Sequence, residues 1–294
     1  MALTRIFSPA VSRSVVSVGV FDGVHLGHQR LLHQLLEMSS ALQAVPTVIT
    51  FGNHPDQVLH GKAPPLLVSV PHRQRLLWRA GVQRLVLLDF EPRLQQLTAR
   101  QFAQDLLLGY DSALGRDREG TPARFEELGR ELGFAVRIGA PFMVDGATVS
   151  STTIRQAIAH GDLQQSQRLL GRYPSAFGKV AHGDHRGRQL GFPTANVLPQ
   201  SPVLPPHGVY AVEAILDGQA LHGVANLGVR PTFAPGHGPV LEVHLFDFDG
   251  DLYDRELEVC FVEFVRSERK FDSVAALQAQ IARDVAAAKA RLLA

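Results

Sequence analysis

The stretch Val15-Val16-Ser17-Val18-Gly19-Val20-Phe21-Asp22-Gly23-Val24-His25-Leu26-Gly27-His28 decides the fold of the first half of the chain. Val15 to Phe21 is a β-branched, apolar run, the pattern of a buried strand. Leu31, Leu32, Leu35, Leu36 and Leu42 follow at spacings that share one helical face. A strand that feeds a helix through a glycine-containing turn puts that turn at the carboxyl edge of an α/β sheet, where such sheets bind ligands. Glycines there let the backbone approach a phosphate, and the first N–H groups of the helix face it. His25 and His28, at that same end, can hydrogen-bond phosphate oxygens and stabilise charge building on a leaving pyrophosphate. Taken alone, His-x-Gly-His is equally a tight turn with surface histidines. Metal ligation is disfavoured, because no carboxylate or third histidine sits at matching spacing.

Working outward, Thr47–Phe51 and Arg84–Leu88 read as further strands and Ala135–Ile138 as a short fourth. Thr98–Leu108 has a helical pattern with Thr98 placed to cap it. Strands alternating with helices predict an α/β doubly wound parallel sheet. Thr152–Leu170 reads as helix interrupted at Gly161-Asp162. After Gly171 the character changes. Phe177–Ala181, Val209–Leu216, Leu221–Asn226, Val240–Phe246 and Leu257–Val265 read as strands, with no helix-length segment between them. That is the signature of an antiparallel barrel or sandwich. Asp272 or Ser273 then opens an alanine-rich helix whose apolar stripe, Val274, Leu277, Ile281, Val285 and Leu292, is expected to pack on the barrel. The expected domains are 1–171 and 172–294.

Composition bounds the function without naming it. A chain of 294 residues accommodates two domains, and 45% hydrophobic with 19% charged residues is ordinary for a globular protein. A net charge of +1 gives no global field for nucleic acid or an anionic membrane. No run of 18 apolar residues is present, so no transmembrane helix is expected. Met1–Arg13 lacks the apolar stretch of a secretory signal. The single cysteine, Cys260, excludes an intramolecular disulfide and reads as a buried, inert thiol. The expectation is a cytoplasmic protein with small-molecule substrates; oligomeric state is left open.

A second constellation runs Gly183-Asp184-His185-Arg186-Gly187-Arg188-Gln189-Leu190-Gly191-Phe192-Pro193-Thr194-Ala195-Asn196. A loop bearing Gly183, Arg186 and Gly187 suits a flap over polyphosphate. Thr194 and Asn196 alternate along an extended segment, so both side chains point the same way. A hydroxyl and an amide oxygen are hard neutral ligands, suited to a Mg²⁺ that also holds nucleotide phosphates. The loop lacks the Gly-Lys-Ser/Thr ending of a Walker A motif. Glu242 is an acidic residue inside an otherwise apolar strand, and burial there would raise its pKa toward the range of a general base; the alternative is a glutamate facing water. His244 shares its face and reads as structural.

These segments carry a resemblance. Gly-Val-Phe-Asp-Gly-Val-His-Leu-Gly-His at 19–28 resembles the opening of bacterial bifunctional riboflavin kinase/FAD synthetases, and His-x-Gly-His is the signature of nucleotidylyltransferases. Ser150-Ser151-Thr152-Thr153-Ile154-Arg155 is similar to that family's Ser-Ser-Thr-x-Ile-Arg. Gly-Phe-Pro-Thr-Ala-Asn at 191–196, Gly208-Val209-Tyr210, Asn226–Phe233, Leu241-Glu242-Val243-His244 and Arg266–Phe271 resemble its kinase half. The resemblance implies phosphorylation of riboflavin to FMN by the C-terminal half and adenylylation of FMN to FAD by the N-terminal half, each with ATP. It implies catalytic roles for Glu242, His25, His28 and Arg155. Nucleotide contacts would come from Gly19, Phe21, Gly23, Ser151, Thr152, Gly183, Arg186 and Gly187, flavin contacts from Asn53, His54, Asp111 and Arg230, and Mg²⁺ ligands from Thr194 and Asn196. Ser151 and Thr152 are equally consistent with a simple helix cap.

The chain also departs from the family. Thr-Phe-Gly-Asn-His-Pro at 50–55 stands where the family has Thr-Phe-Asp-Pro-His-Pro, and Gly109–Gly115 keeps Asp111 but lacks two phenylalanines. These departures leave open a riboflavin kinase with an inactive or altered adenylyltransferase half. A flavin- or RNA-binding regulator is the non-enzymatic alternative; near-neutral charge argues against RNA, and both catalytic sets argue against a mere binder.

Overall fold

The computed structural model describes residues 13–103, 121–137, 142–182, 186–200, 203–228 and 239–292. By internal contacts the chain forms two compact units, Met1–Pro65 with Val70–Ser150, and Leu66–Ser69 with Ser151–Ala294.

The first unit runs β1 (Ser14–Val18), α1 (Leu26–Ala41), β2 (Val45–Phe51), α2 (Pro55–Leu59), α3 (Val70–Arg79), β3 (Arg84–Leu88), α4 (Pro92–Gln95), α5 (Ala99–Ala103) and α6 (Pro122–Leu132), then a small hairpin of β4 (Met143–Val144) and β5 (Ala147–Thr148). The described sheet is parallel, in the order β1-β2-β3, with Val16 opposite Thr47 and Thr47 opposite Arg84. Alternating positions of these strands bury Val18, Ile49 and Phe51 against Phe90, Phe125 and Leu128. β1 stops at Val18 rather than reaching Phe21, because Phe21 takes a left-handed φ of 52° that no strand allows. Leu42, expected on the apolar face of α1, is exposed and sits at the helix C-cap. The expected fourth strand is not found in residues 135–137; Ile138 lies outside the described residues. Gly133, left-handed at the C-cap of α6, turns the chain back, and Phe134 and Val136 pack into the core instead. Thr98 does cap α5, its hydroxyl accepting from the Gln101 N–H at 3.1 Å; residues 104–108 of that expected helix lie outside the described residues.

The second unit opens with α7 (Ser151–Ala159) and α8 (Leu163–Leu170), separated at Gly161-Asp162 as the sequence implies. Asp162 caps α8, accepting from the Gln165 N–H at 2.9 Å. Then come β6 (Ser175–Ala181), the single turn α9 (Arg186–Gln189), β7 (Ala195–Pro199), β8 (Gly208–Leu216), β9 (Gln219–Gly228), β10 (Val240–Leu245), β11 (Glu256–Arg266) and α10 (Val274–Leu292). The six strands close into an antiparallel barrel in the order β10-β7-β6-β11-β8-β9. Closure leaves no open sheet edge. Val197, Tyr210, Leu227, Leu241, Val243 and Phe261 fill its interior, and Leu163 of α8 joins that core. β7 is the strand that periodicity misses: it is five residues long, ends in proline and carries Asn196 at its second position.

Ser273 caps α10, accepting from the Ala276 N–H at 3.1 Å. The helix docks through Val285, Ala288 and Leu292 onto Val209, Ala211 and Val224 of the barrel. Val274 is exposed, because it lies in the first turn, ahead of the docking stretch. A charged anchor adds to the apolar one. The guanidinium of Arg266 donates from Nε and Nη2 to the buried carboxylate of Asp284, at 2.9 Å and 2.7 Å. Cys260 is buried and unbridged.

Candidate active sites

In the first unit the turn from β1 to α1 is strained. Phe21, Gly23 and Val24 have φ of 52°, 78° and 42°. The left-handed region costs a β-branched residue such as Val24 about 1–3 kcal/mol, and such strain persists only where the surroundings over-determine it. The turn delivers His25 to the N-cap of α1, buried, with its Nδ1 accepting from the His28 N–H at 3.4 Å. An imidazole that accepts at Nδ1 carries its proton at Nε2, the form able to donate to a phosphate oxygen. The rings of His25 and His28 stack with centroids 3.7 Å apart, and Phe21 lies 5.1 Å from the His28 ring. Gly27 keeps this pair compact: a Cβ there would come within 3.2 Å of the His25 ring. The ring of Phe21 folds back over Gly19 in the same way, 3.3 Å from where a Cβ would sit.

Beneath the turn lies a residue that periodicity did not single out. Arg73 of α3 is 1% exposed. Its Nη1 donates to the Val20 carbonyl at 2.8 Å and its Nη2 to the Phe51 carbonyl. Thr50 donates its hydroxyl to the same Val20 carbonyl at 3.0 Å. Burial pulls the Arg73 guanidinium below its ordinary pKa, and the carboxylate of buried Asp22 pulls it back up. In one sequence an arginine on an amphipathic helix carries no signal of this role.

Asn53 and His54 follow β2, and both act on the backbone. The Asn53 amide donates to the Phe90 carbonyl at 2.9 Å and accepts from the Phe90 N–H at 2.7 Å, locking the end of β3. His54 caps α2, accepting from the Asp56 N–H at 3.2 Å. In the second unit, Ser151, Thr152 and Arg155 share the start of α7, where Arg155 Nη1 donates to Thr152 Oγ1 at 3.4 Å. Gly183, Asp111 and Arg230 lie outside the described residues; Arg186 opens α9.

The barrel carries a cavity of about 770 Å³, and Gly187, Thr194, Asn196, Asn226 and Glu242 all line it. Glu242 stands between Leu241 and Val243, on the face opposite the barrel core, directly across from Asn196 on β7 and Asn226 on β9. The burial expected for it is met only in part: Glu242 is half-buried, because its strand face opens on the cavity. Asn196 is buried, at 7% exposure. Thr194 is approached closely by α9, and only a glycine permits it. A Cβ on Gly187 would collide with the Phe192 carbonyl and come within 2.9 Å of Thr194 Oγ1. His244 braces the same segment, its Nδ1 2.8 Å from the Pro193 carbonyl and its ring edge-on to Phe192. Arg266 and Asp284 also line the cavity.

Known families match both parts of the chain. A riboflavin kinase family model matches residues 170–292, and an FAD synthetase family model matches residues 8–153. The bifunctional riboflavin kinase/FMN adenylyltransferase of Pseudomonas fluorescens is 40% identical over 286 residues, 94% of this chain and 92% of that protein. That of Escherichia coli K12 is 40% identical, covering 92% and 90%. That of Bacillus subtilis is 34% identical, covering 93% and 90%. A solved structure described as a macrolide-efflux protein of Streptococcus pneumoniae superposes with a TM-score of 0.80 at 32% identity, covering 96% and 95%. No helix among the described residues is long and apolar enough to cross a membrane. An adenylyl-transfer half followed by a kinase half defines the class, a two-headed transferase. The chain belongs to the bifunctional riboflavin kinase/FMN adenylyltransferase family. Its C-terminal half phosphorylates riboflavin to FMN, and its N-terminal half adenylylates FMN to FAD.

Proposed function

We propose that kinase chemistry takes place in the barrel cavity, with Glu242 as general base. The observation that carries this reading is that Glu242, Asn196 and Thr194 converge on one cavity large enough for a drug-sized ligand. Glu242 accepts the proton of the terminal ribityl hydroxyl while that oxygen attacks the γ-phosphorus of ATP and the bond to ADP breaks. The hydroxyl of Thr194 and the amide oxygen of Asn196 fit Mg²⁺, a hard cation that takes oxygen ligands; when bound it would neutralise phosphate charge. Gly187, Gly183 and Arg186 are proposed to contact the nucleotide phosphates.

Adenylyl transfer is assigned to the turn that carries His25 and His28. An FMN phosphate oxygen attacks the α-phosphorus of ATP, the α–β bridging bond breaks, and pyrophosphate leaves. Both imidazoles donate to oxygens that gain charge. Gly19, Phe21 and Gly23 shape the turn for close approach of the nucleotide. Ser151, Thr152 and Arg155 are proposed phosphate ligands on the strength of the family motif. Asn53, His54, Asp111 and Arg230 are proposed flavin contacts, the first two alongside the backbone roles described above. The domains proposed for the two activities are 1–171 and 172–294. A cytoplasmic location fits an ATP-consuming enzyme whose lone thiol is buried.

The test is to incubate the protein with riboflavin, ATP and Mg²⁺ and resolve the flavins by chromatography. The unaltered enzyme accumulates FMN and FAD. His28→Ala makes FMN but forms FAD about 10²-fold more slowly, the scale for one such donor. Asn196→Ala raises the Mg²⁺ concentration needed for half-maximal FMN formation. FMN and FAD formation falling together in folded His28→Ala defeats the two-site reading.

A further inference from the structure

We propose that Arg73 is a positioning residue for adenylyl transfer: its guanidinium clamps the carboxyl ends of β1 and β2 and thereby holds the turn that presents His25 and His28. Three observations lead there. Arg73 reaches from α3 to the Val20 and Phe51 carbonyls, one beyond the end of β1 and one at the end of β2, so a single side chain ties the ends of two strands together. Val20 directly precedes Phe21, the first left-handed residue of the turn, and its carbonyl takes both the Arg73 guanidinium and the Thr50 hydroxyl. The negative charge of buried Asp22, inside the turn, favours the charged form of the same guanidinium.

The physical logic is over-determination. Left-handed Phe21 and Val24, on either side of the permissive Gly23, do not persist through local preference. A buried guanidinium is itself costly, and here Nη1 and Nη2 are spent on two carbonyls, with the negative charge of Asp22 favouring the cation. Remove it and the turn can relax. The imidazoles then move relative to the phosphates they serve, and a displacement of about 1 Å costs about 10²-fold in rate. Arg73 touches no substrate in this account; it acts through the turn.

The inference rests on the placement of adenylyl transfer at His25 and His28, so the experiment carries His28→Ala beside the Arg73 variants. Arg73→Met and Arg73→Lys are made in the full chain, and kcat and KM are measured for FAD formation from FMN and for FMN formation from riboflavin. Trp78, the chain's single tryptophan, lies on α3 itself, and its fluorescence reports whether the first unit is folded. Arg73→Met is expected to lower kcat for FAD formation by about 10²-fold, with KM for FMN within a few-fold and kinase turnover unchanged. Arg73→Lys, which still donates to a carbonyl, recovers part of the loss; it also serves should Arg73→Met fail to fold, with kcat then about 10-fold below the unaltered enzyme. Normal FAD turnover per folded molecule in both Arg73 variants, with His28→Ala impaired, overturns the inference alone. Normal FAD turnover in His28→Ala overturns the site placement and the inference with it.

Discussion

Glu242→Gln separates a catalytic base from a scaffold residue. The substitution keeps size and hydrogen-bonding shape, but the amide cannot accept the ribityl proton at neutral pH. Glu242 is half-buried on a strand face that opens on the cavity, opposite Asn196 and Asn226. A glutamine there creates no void and strands no apolar surface. The expected stability change is therefore below about 1 kcal/mol, a melting shift of a few degrees at most. Loss of the base removes about 10²- to 10⁴-fold of kinase turnover. That corresponds to about 2.7–5.5 kcal/mol of transition-state stabilisation, well outside the stability effect. Riboflavin affinity stays close to that of the unaltered enzyme, because the proton is taken in the transition state. The assay is steady-state FMN formation resolved by chromatography, with riboflavin binding measured by flavin fluorescence and melting followed in parallel. FAD formation from supplied FMN is the internal control, and it is expected to be unaffected. Wild-type kinase turnover in Glu242→Gln refutes the role of Glu242. A lowered melting temperature with normal turnover per folded molecule assigns it to the scaffold instead, and directs the search to Asp249, which also lines the cavity.

Two further outcomes follow from the fold. A fragment of residues 172–294 is expected to fold and make FMN, but to melt about 5–15 °C below a fragment of residues 151–294, because it lacks Leu163, whose burial in the barrel core is worth about 1.5–3 kcal/mol; equal melting temperatures in a thermal scan contradict that packing. Burial pushes the Tyr210 hydroxyl up to about 12. The protonated form is thus favoured in the folded barrel, so this contribution is intact below about pH 10 and declines as pH rises toward 12. Tyr210→Phe removes that titration, and an unchanged pH–stability profile between pH 10 and 12 contradicts it.

Most of the element order was legible in the sequence. β3 follows its run of apolar residues from Arg84 to Leu88, and the break between α7 and α8 follows Gly161-Asp162, because hydrophobic period and caps are local properties. The two constellations proposed as active sites are compact in the chain for a related reason. Chemistry that needs a glycine, an imidazole or a hydroxyl beside a backbone turn leaves them adjacent in the chain. The ends of elements were not. β1 stops at Val18, and just beyond it the Val20 carbonyl accepts from Arg73 of α3 and Thr50 of β2 while Phe21 turns left-handed; no local rule contains those contacts. β7 is too short to show a period, and it exists because β6 and β10 pair with both its edges.

The same distinction explains the residues that sequence reasoning assigned differently or passed over. Its motif marked Glu242, but only the barrel register puts Asn196 and Asn226 on either side of it, and only the shape of the cavity leaves it half-buried. The family's acidic residue at position 52 is a glycine here, and the carboxylate of Asp89, distant in sequence, lies 2.5 Å from where a Cβ at 52 would stand. Arg73 is unremarkable in the chain and fully buried in the fold. Local pattern determined which segments became strands and helices and which short motifs could meet a phosphate. Tertiary structure decided what lies opposite each of them, because burial, register and carbonyl clamping join residues whose spacing along the chain carries no information.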